Sequence, residues 1–530
     1  MAGTVRRRPF GLPAPARAAL VSVAASIALL LGSCQSPAPA GVAPRADAPA
    51  APVAPVKALV SDWRDAVLYF VIVDRFADGD PANNTGVDVS AKGTFHGGDL
   101  KGLTAQLDEI ESLGVNALWI TPVVKNIPGF VTGAGFPDWG YHGYWADDFD
   151  ALDPRFGTEA DLKALVGEAH RRGIRVLLDV VYNHAGYESR YLKDPSTKGW
   201  LRSTETGCGE DDLTQCVAGL PDFKTERPEV ASYLLARQIS WAKRTGVDGF
   251  RLDTVKHVSH EFWKEHRQRT RAELGKGFFL LGEVWGGDAK VLDPWFEGDE
   301  LDAGFDFGFQ GSALAWAEGR GRTIAFDRYL SSREKVRSGY LLSHFLSSHD
   351  VPGALHQLGG DLDAFRLAAF LQLTASGIPC IYYGEEVGRK GGDWPDNRSD
   401  MPWGSRAVKP SSKEPRNEAL RSEYVKLIGL RNAHPALRRG VHKGLETAGD
   451  VFVYERRDAA SGDVVVLALN RSKEARPVDV PAPPEWSGPV REELSGTEAA
   501  VSNGRLTATL PPGGRAVWVA PKGQRGQRGQ

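Results

Sequence analysis

The 530-residue chain lacks several things. It has four cysteines and two methionines, and no cysteines stand at the spacing of a zinc site. Its 64 basic and 67 acidic side chains nearly cancel, leaving a formal charge of -3. There is no basic surplus to hold a polyanion, so no nucleic-acid partner is expected. No glycine fingerprint follows the first apolar strand pattern, which argues against an open dinucleotide-binding sheet. The apolar run near the N-terminus, ALVSVAASIALLLG, ends at Gly32 and is short for a spanning helix. What remains is an ordinary globular composition, 42% hydrophobic and 25% charged, with 14 Trp and 13 Tyr. That is ample chain for a sizeable core.

The N-terminal run follows Arg6, Arg7, Arg8 and Arg17, the layout of a secretory signal. It stops at LLGSC, which resembles a bacterial lipobox, although Gly32 is unusual at its position. That resemblance implies a signal peptide over 1–33 and a lipidated Cys34 as the mature N-terminus. The segment 34–60 is rich in Pro and Ala, cannot build a core and is expected to form an extended tether. The expectation is an exported protein whose only membrane contact is the lipid on Cys34; ordinary signal cleavage would leave it secreted. Cys208 and Cys216 bracket the loop CGEDDLTQC, and an oxidising compartment predicts a local disulfide. Cys380, in the apolar GIPCIYY, is expected to be a buried thiol.

From Ala66 onward strand and helix patterns alternate. Strands are predicted at 67–73, 115–121, 174–181, 247–253, 277–284, 301–307, 341–347 and 378–384. Helices are predicted between several of them, at 103–114, 159–173, 230–246 and 260–274. Eight apolar strands with helical crossovers predict an α/β fold, a closed (β/α)8 barrel, over 61–438. Residues 185–227 are too long and irregular for a simple connection, and are expected to form a small excursion domain after strand three. Four short strand patterns, at 451–457, 463–471, 505–510 and 514–520, predict an antiparallel β-sandwich domain over 439–521. The end, 522–530, is expected to be a disordered tail.

In a barrel the chemistry gathers at the C-terminal ends of the strands. Asp179, Asn183 and His184 follow strand three, Arg251 and Asp253 end strand four, Glu283 ends strand five, and His349 and Asp350 follow strand seven. Burying so many carboxylates is costly unless each is paired or used. Arg251 and Asp253 share the parity of one strand, so both can face the barrel mouth. The guanidinium would keep the carboxylate ionised as a nucleophile. Glu283, crowded by other carboxylates and Trp285, would have a raised pKa and serve as a proton donor. Two carboxyls of unlike protonation suit cleavage of a glycosidic bond.

DVVYNH, GFRLDTVKH, GEVW and FLSSHD, in that order, resemble the four sequence regions of the alpha-amylase superfamily, glycoside hydrolase family 13. YHGYW at 141–145, LPDF at 220–223 and GIPCIYYGEEVG fit the same pattern, and the match spans roughly residues 65 to 440. The resemblance implies a catalytic nucleophile at Asp253, an acid/base at Glu283 and a third carboxylate at Asp350. It implies substrate contacts from Arg251, His142, Tyr144, His184 and His349, with Lys256 and His257 on the leaving-group side. Ser348 stands where family members often have Asn. Calcium is expected at one or two sites. One draws on Asp78, Asp80, Asn83, Asn84, Gly97 and Asp99; the other on Asn183, Asp222 and the His257 carbonyl.

The function read first is an endo-acting, retaining alpha-amylase that cleaves alpha-1,4-glucosidic bonds in starch, glycogen or maltodextrins. Cyclomaltodextrinase, neopullulanase and cyclodextrin glucanotransferase share its matched residues and stand as alternatives. No extra sheet domain is seen before the first strand, which counts against neopullulanase, and only one C-terminal domain is seen, which counts against the transferase. A non-catalytic starch-binding protein would not need Asp253, Glu283 and Asp350 together.

Overall fold

A computed structural model describes residues 57–133 and 135–520. The signal run, Cys34, most of the tether and the end from 521 lie outside the described residues. Eight parallel strands close into a barrel: β1 Leu68–Val71, β2 Ala117–Ile120, β3 Arg175–Val180, β4 Gly249–Leu252, β5 Phe279–Gly282, β6 Ala303–Asp306, β7 Leu341–Phe345 and β8 Ile378–Tyr382. All eight predicted strands are present. Nearly every strand residue is buried, because helices cover the outer face and side chains fill the inside.

Local chemistry sets the helix ends. Thr158 and Asp161 form a reciprocal capping box that starts helix Glu159–Arg171. Pro228 opens helix Pro228–Thr245, and Gly246, at φ 77°, closes it in the left-handed region. The helix predicted over 103–114 starts earlier, at Leu100, because the Asp99 side chain accepts from the Gly102 N–H. It also breaks at Gln106 into two segments.

Lys57 is already docked: its N–H donates to the Arg171 carbonyl at 3.1 Å, and the Val60 carbonyl accepts from Arg175 Nε at 2.7 Å. The extended tether expected to reach residue 60 therefore gives way to folded chain by Lys57. The excursion holds a two-stranded pairing of Leu201–Arg202 with Asp222–Phe223 and the Cys208–Cys216 disulfide. Cys380 is a buried free thiol.

The C-terminal domain has eight strands, twice the number predicted: β9 Val441–Glu446, β10 Val451–Asp458, β11 Asp463–Asn470, β12 Arg476–Pro481, β13 Gly488–Glu492, β14 Glu498–Ser502, β15 Arg505–Leu510 and β16 Arg515–Val519. They pair in the order β9-β10-β11-β16-β13-β14-β15-β12. Side chains on β10, β11 and β16 alternate between two cores. Phe452, Tyr454, Leu467 and Val517 join the barrel's core, while Val453, Val466, Ala468 and Trp518 join the sheet's own. Burial on both faces explains the unbroken VVVLAL.

Candidate active site

The register of β4 builds the site. Arg251 is the direct partner of Asp179 on β3, so its guanidinium emerges beside that carboxylate. The pairing continues past the strand ends: the Asp253 N–H donates to the Val180 carbonyl at 3.1 Å, and the Glu283 N–H to the Leu252 carbonyl at 2.8 Å. Asp253 and Glu283 are thus held by backbone at the rim.

Arg251 Nη1 lies 2.6 Å from Asp253 Oδ1 and 3.2 Å from Asp179 Oδ1, and Nη2 lies 3.2 Å from Glu283 Oε2. One cation thus serves three carboxylates, all of them buried. Asp179 is further held by the Tyr144 hydroxyl at 2.6 Å and Trp119 Nε1 at 3.0 Å. Burial and the neighbouring Asp253 push it up to about 7, with Arg251 opposing. Burial pushes Glu283 up to about 8; Arg251 opposes this, and Asp253 and Asp350 add to it. Thr254, at φ +48°, sits in the left-handed region that β-branched residues avoid. Its N–H donates to Glu283 Oε2 at 2.9 Å and its hydroxyl to Asp253 Oδ2 at 3.2 Å.

Opposite this cluster, Asp350 accepts from Arg398 Nη2 at 3.1 Å and lies 3.0 Å from His349 Nε2. The Ser348 hydroxyl accepts the Asp350 N–H at 3.1 Å, so the serine props the loop through its own short side chain. The Tyr144 and His349 rings stack with centroids 5.1 Å apart. Burial holds His142, His184 and His349 below the usual imidazole range. They are neutral rings that can both donate and accept. His184 Nε2 and His349 Nδ1 are buried with no hydrogen-bond partner among the described residues. Asp253, Glu283, Asp350, His142, Tyr144, His184 and His349 converge on one cavity of about 840 Å³.

A family model, alpha amylase, catalytic domain, matches residues 70–206 and 209–419. The chain belongs to the alpha-amylase family. It is 33% identical over 487 residues to a cyclomaltodextrinase of Geobacillus thermopakistaniensis, covering 86% of this chain and 77% of that protein. It is 32% identical to neopullulanase 2 of Thermoactinomyces vulgaris, covering 86% and 78%. An Anoxybacillus alpha-amylase crystal structure superposes with a TM-score of 0.76 at 31% identity, covering 88% of this chain and all of that one. This amylase-family enzyme is therefore a glycosidase with the family's barrel and trailing sheet.

Not every expected residue reaches the cavity. Lys256 Nζ lies 3.6 Å from Asp212, and His257 Nδ1 lies 2.8 Å from the Asp212 carbonyl. Both are occupied by the disulfide loop, and neither lines the cavity. Conversely, the wall includes Asp138, Tyr187, Trp394 and Arg398, which sequence reading did not select. Arg398 and Trp394 belong to an irregular segment, and a loop without periodicity gives no face to read. Asp138 is buried with Oδ1 unpartnered, and burial pushes it up to about 6.

The two loops read as cation sites differ in fit. In the first, Asn84 Nδ2 donates to Asp78 at 2.7 Å and Asn83 Nδ2 to Asp99 at 2.9 Å. Asn83 Oδ1 and Asn84 Oδ1 are left buried without a donor. A Cβ on Gly97 would meet Asn84 Oδ1 at 2.7 Å, so glycine permits the close approach. Asp80 is turned away, to Lys101 Nζ at 2.6 Å. In the second, one atom of the Asn183 amide lies 3.0 Å from the His257 carbonyl oxygen and 3.1 Å from Asp222 Oδ1. With the amide nitrogen there, it donates to both; with the oxygen there, three acceptors converge. Burial pushes Asp222 up to about 7 despite Arg202 at 2.8 Å. Both sets offer oxygen atoms, the ligand type that calcium takes, but in the first Asp80 does not join the others.

Proposed function

We propose that this enzyme hydrolyses alpha-1,4-glucosidic bonds in short linear or cyclic maltodextrins, with retention of configuration. The observation that carries the chemistry is the guanidinium of Arg251 shared unequally between Asp253 and Glu283. Its closer contact holds Asp253 Oδ1 in place, and Oδ2 keeps a lone pair for attack at the anomeric carbon. Glu283 Oε2 accepts from Thr254 and faces Arg251, which leaves Oε1 to carry the proton for the departing oxygen. Asp253 attacks, the glycosidic C–O bond breaks and Glu283 protonates the leaving group. Water, deprotonated by Glu283, then releases the sugar from Asp253 and restores both residues. Asp350 and the neutral His184 and His349 hold sugar hydroxyls and orient the ring.

Alpha-amylase action stood first in the sequence reading. The cyclomaltodextrinase relative supports cyclic maltodextrins as substrates instead, and the cavity volume, about 840 Å³, suits a short oligosaccharide. Endo-acting alpha-amylase is the second reading, favoured by the full-length match to the Anoxybacillus enzyme. Initial rates on beta-cyclodextrin, maltoheptaose, pullulan and soluble starch decide between them. Faster cyclodextrin than starch turnover is expected; the reverse order restores the amylase reading, and products longer than the substrate would mean transfer. Calcium is proposed at both oxygen-lined loops. At the second it would brace the excursion against the barrel by charge alone. Export, with an anchor on Cys34, is proposed from the leader and is checked by mass spectrometry of the mature N-terminal peptide.

A further inference from the structure

A small cavity of about 20 Å³ adjoins the catalytic one and shares Glu283, His349 and Asp350 with it. Much of its wall is barrel interior: Phe70, Phe305, Phe345 and Cys380 offer little to a polar ligand. Arg251 and His349 line it as well. A buried water needs roughly 10–15 Å³ and two or more polar partners. The space therefore takes one water and nothing the size of a sugar ring.

Two buried atoms of Arg251 and His349 are unmatched, and they are complementary. Arg251 engages the three carboxylates through Nη1 and Nη2, but its Nε has no hydrogen-bond partner among the described residues. That nitrogen is a donor only. His349 Nδ1 has no such partner either. On the other side of the ring, Nε2 lies 3.0 Å from Asp350 Oδ2. Two acceptors cannot share that contact, so Nε2 carries the hydrogen. Burial keeps the ring neutral, and a neutral imidazole has only one N–H, so Nδ1 is an acceptor. A buried donor without an acceptor and a buried acceptor without a donor are costly unless something answers both. A water does so with one lone pair and one hydrogen. The Ser348 hydroxyl, on the same wall, can take its second hydrogen.

We propose that one water molecule is held in this cavity as a fixed part of the active site, accepting from Arg251 Nε and donating to His349 Nδ1. It locks the imidazole hydrogen on Nε2, toward Asp350 and a sugar hydroxyl. A chain of hydrogen bonds then runs from the Arg251 cation through a neutral ring to Asp350, each link polarising the next. Only the catalytic half of this proposal rests on the glycosidase function above.

A crystal structure of the unaltered enzyme soaked in sodium bromide tests the site. A water peak at hydrogen-bond distance from both Arg251 Nε and His349 Nδ1 is expected, without anomalous bromide signal. No peak that reaches both atoms overturns the proposal. So does bromide in its place, because an anion accepts from Arg251 but has no hydrogen for Nδ1. Kinetics test the role. Cys380→Leu fills the space with an apolar group and is expected to lower kcat about tenfold with KM nearly unchanged, the loss of one bridging water. Cys380→Ser keeps the space and is expected to keep kcat. Cys380→Val, a smaller filler, takes the place of Cys380→Leu if that variant does not fold. A lower melting temperature with unchanged kcat per folded active site would be a packing fault alone, and would overturn the positioning role. If the enzyme cleaves no alpha-glucan, that role falls with the function, and the crystal peak still decides the site.

Discussion

Two buried arginines sit beside barrel strand ends, and they do opposite things. Arg251 faces inward and shares its charge among Asp179, Asp253 and Glu283. Arg333 faces Asp306, the last residue of β6, at 2.6 Å. It also donates to the Ser376 carbonyl at 3.0 Å and meets His344 Nδ1 at 3.0 Å. Asp306 is saturated as well: it accepts from the Tyr329 hydroxyl and caps the next helix through the Phe309 N–H. One carboxylate per cation, every acceptor filled, makes a rivet. Burial raises Glu283 and Asp179, and with three carboxylates on one cation the neighbouring Asp253 adds to the rise. Parity decides which is which. Phe305 packs beside Trp119 inside the barrel, so its neighbour Asp306 points out, whereas Arg251 and Asp253, two apart, both point in.

The comparison breaks most cleanly at Asp253. Asp253→Asn keeps the shape and removes the attacking charge, so turnover is expected to fall by several orders of magnitude, with the fold retained by circular dichroism. Trapping with a fluorinated alpha-glycosyl fluoride is expected to label Asp253. A label on another residue would transfer the nucleophile's role there and leave Asp253 in the same class as Asp306.

The rivet's removal should cost stability and not chemistry. Asp306→Asn leaves Arg333 buried without its counter-charge, an expected loss of about 3–5 kcal/mol of unfolding free energy. The kcat of the enzyme that remains folded should stay near the original, because neither residue lines the cavity. Denaturant titration and active-site-normalised kcat check the two halves. A normal stability with a collapsed kcat would erase the distinction between the arginines.

Much of this was legible in the sequence. The eight barrel strands are continuous apolar runs, and the carboxylates that line the cavity close them at readable positions. The C-terminal domain was half legible. VFVYERR and DVVVLALNR stand out because both faces are buried, but RPVDVP and GPVRE carry proline and alternate with charge. β12 is an edge strand, where proline is tolerated, so its composition resembled a loop. The cavity's far wall was not legible, since Arg398 and Trp394 come from an irregular segment with no period. The engagement of Lys256 and His257 by Asp212 was hidden too: it depends on how a disulfide loop folds back.

Burial of Glu283 at the rim also predicts a pH signature. The Glu283 carboxyl is raised from 4.5 in the unfolded chain to about 8 in the fold. The folded state therefore holds this proton more tightly, and its contribution to stability is lost as pH rises from about 4.5 to about 8. Glu283→Gln imitates the protonated acid at every pH. The melting temperature of Glu283→Gln minus that of the unaltered enzyme should therefore grow across that window and level off above it. The alkaline limb of kcat/KM in the unaltered enzyme should follow the same group. A flat difference would place Glu283 in the ordinary carboxylate range and remove the physical basis for its acid role.

The smallest effect expected is that of chelation, and it tests whether a third kind of charge pairing exists beside the two arginines. With the Asn183 amide oxygen turned toward Asp222 Oδ1 and the His257 carbonyl, three acceptors meet with no donor between them, and a metal ion would then stand there as the guanidinium of Arg251 stands at the rim. A cation bound only by the folded state stabilises it by RT ln(1 + [L]/Kd), about 2.7 kcal/mol at a hundredfold excess over Kd. EDTA should lower the melting temperature by a few degrees, and added calcium should restore it. Asn183→Ala should make the protein less responsive to both. If instead the Asn183 amide nitrogen donates to both acceptors, the site is already satisfied by hydrogen bonds. Chelation would then leave the Asn183-dependent part of stability unmoved, and the excursion would be held to the barrel by hydrogen bonds, as Asp306 is held by its own donors.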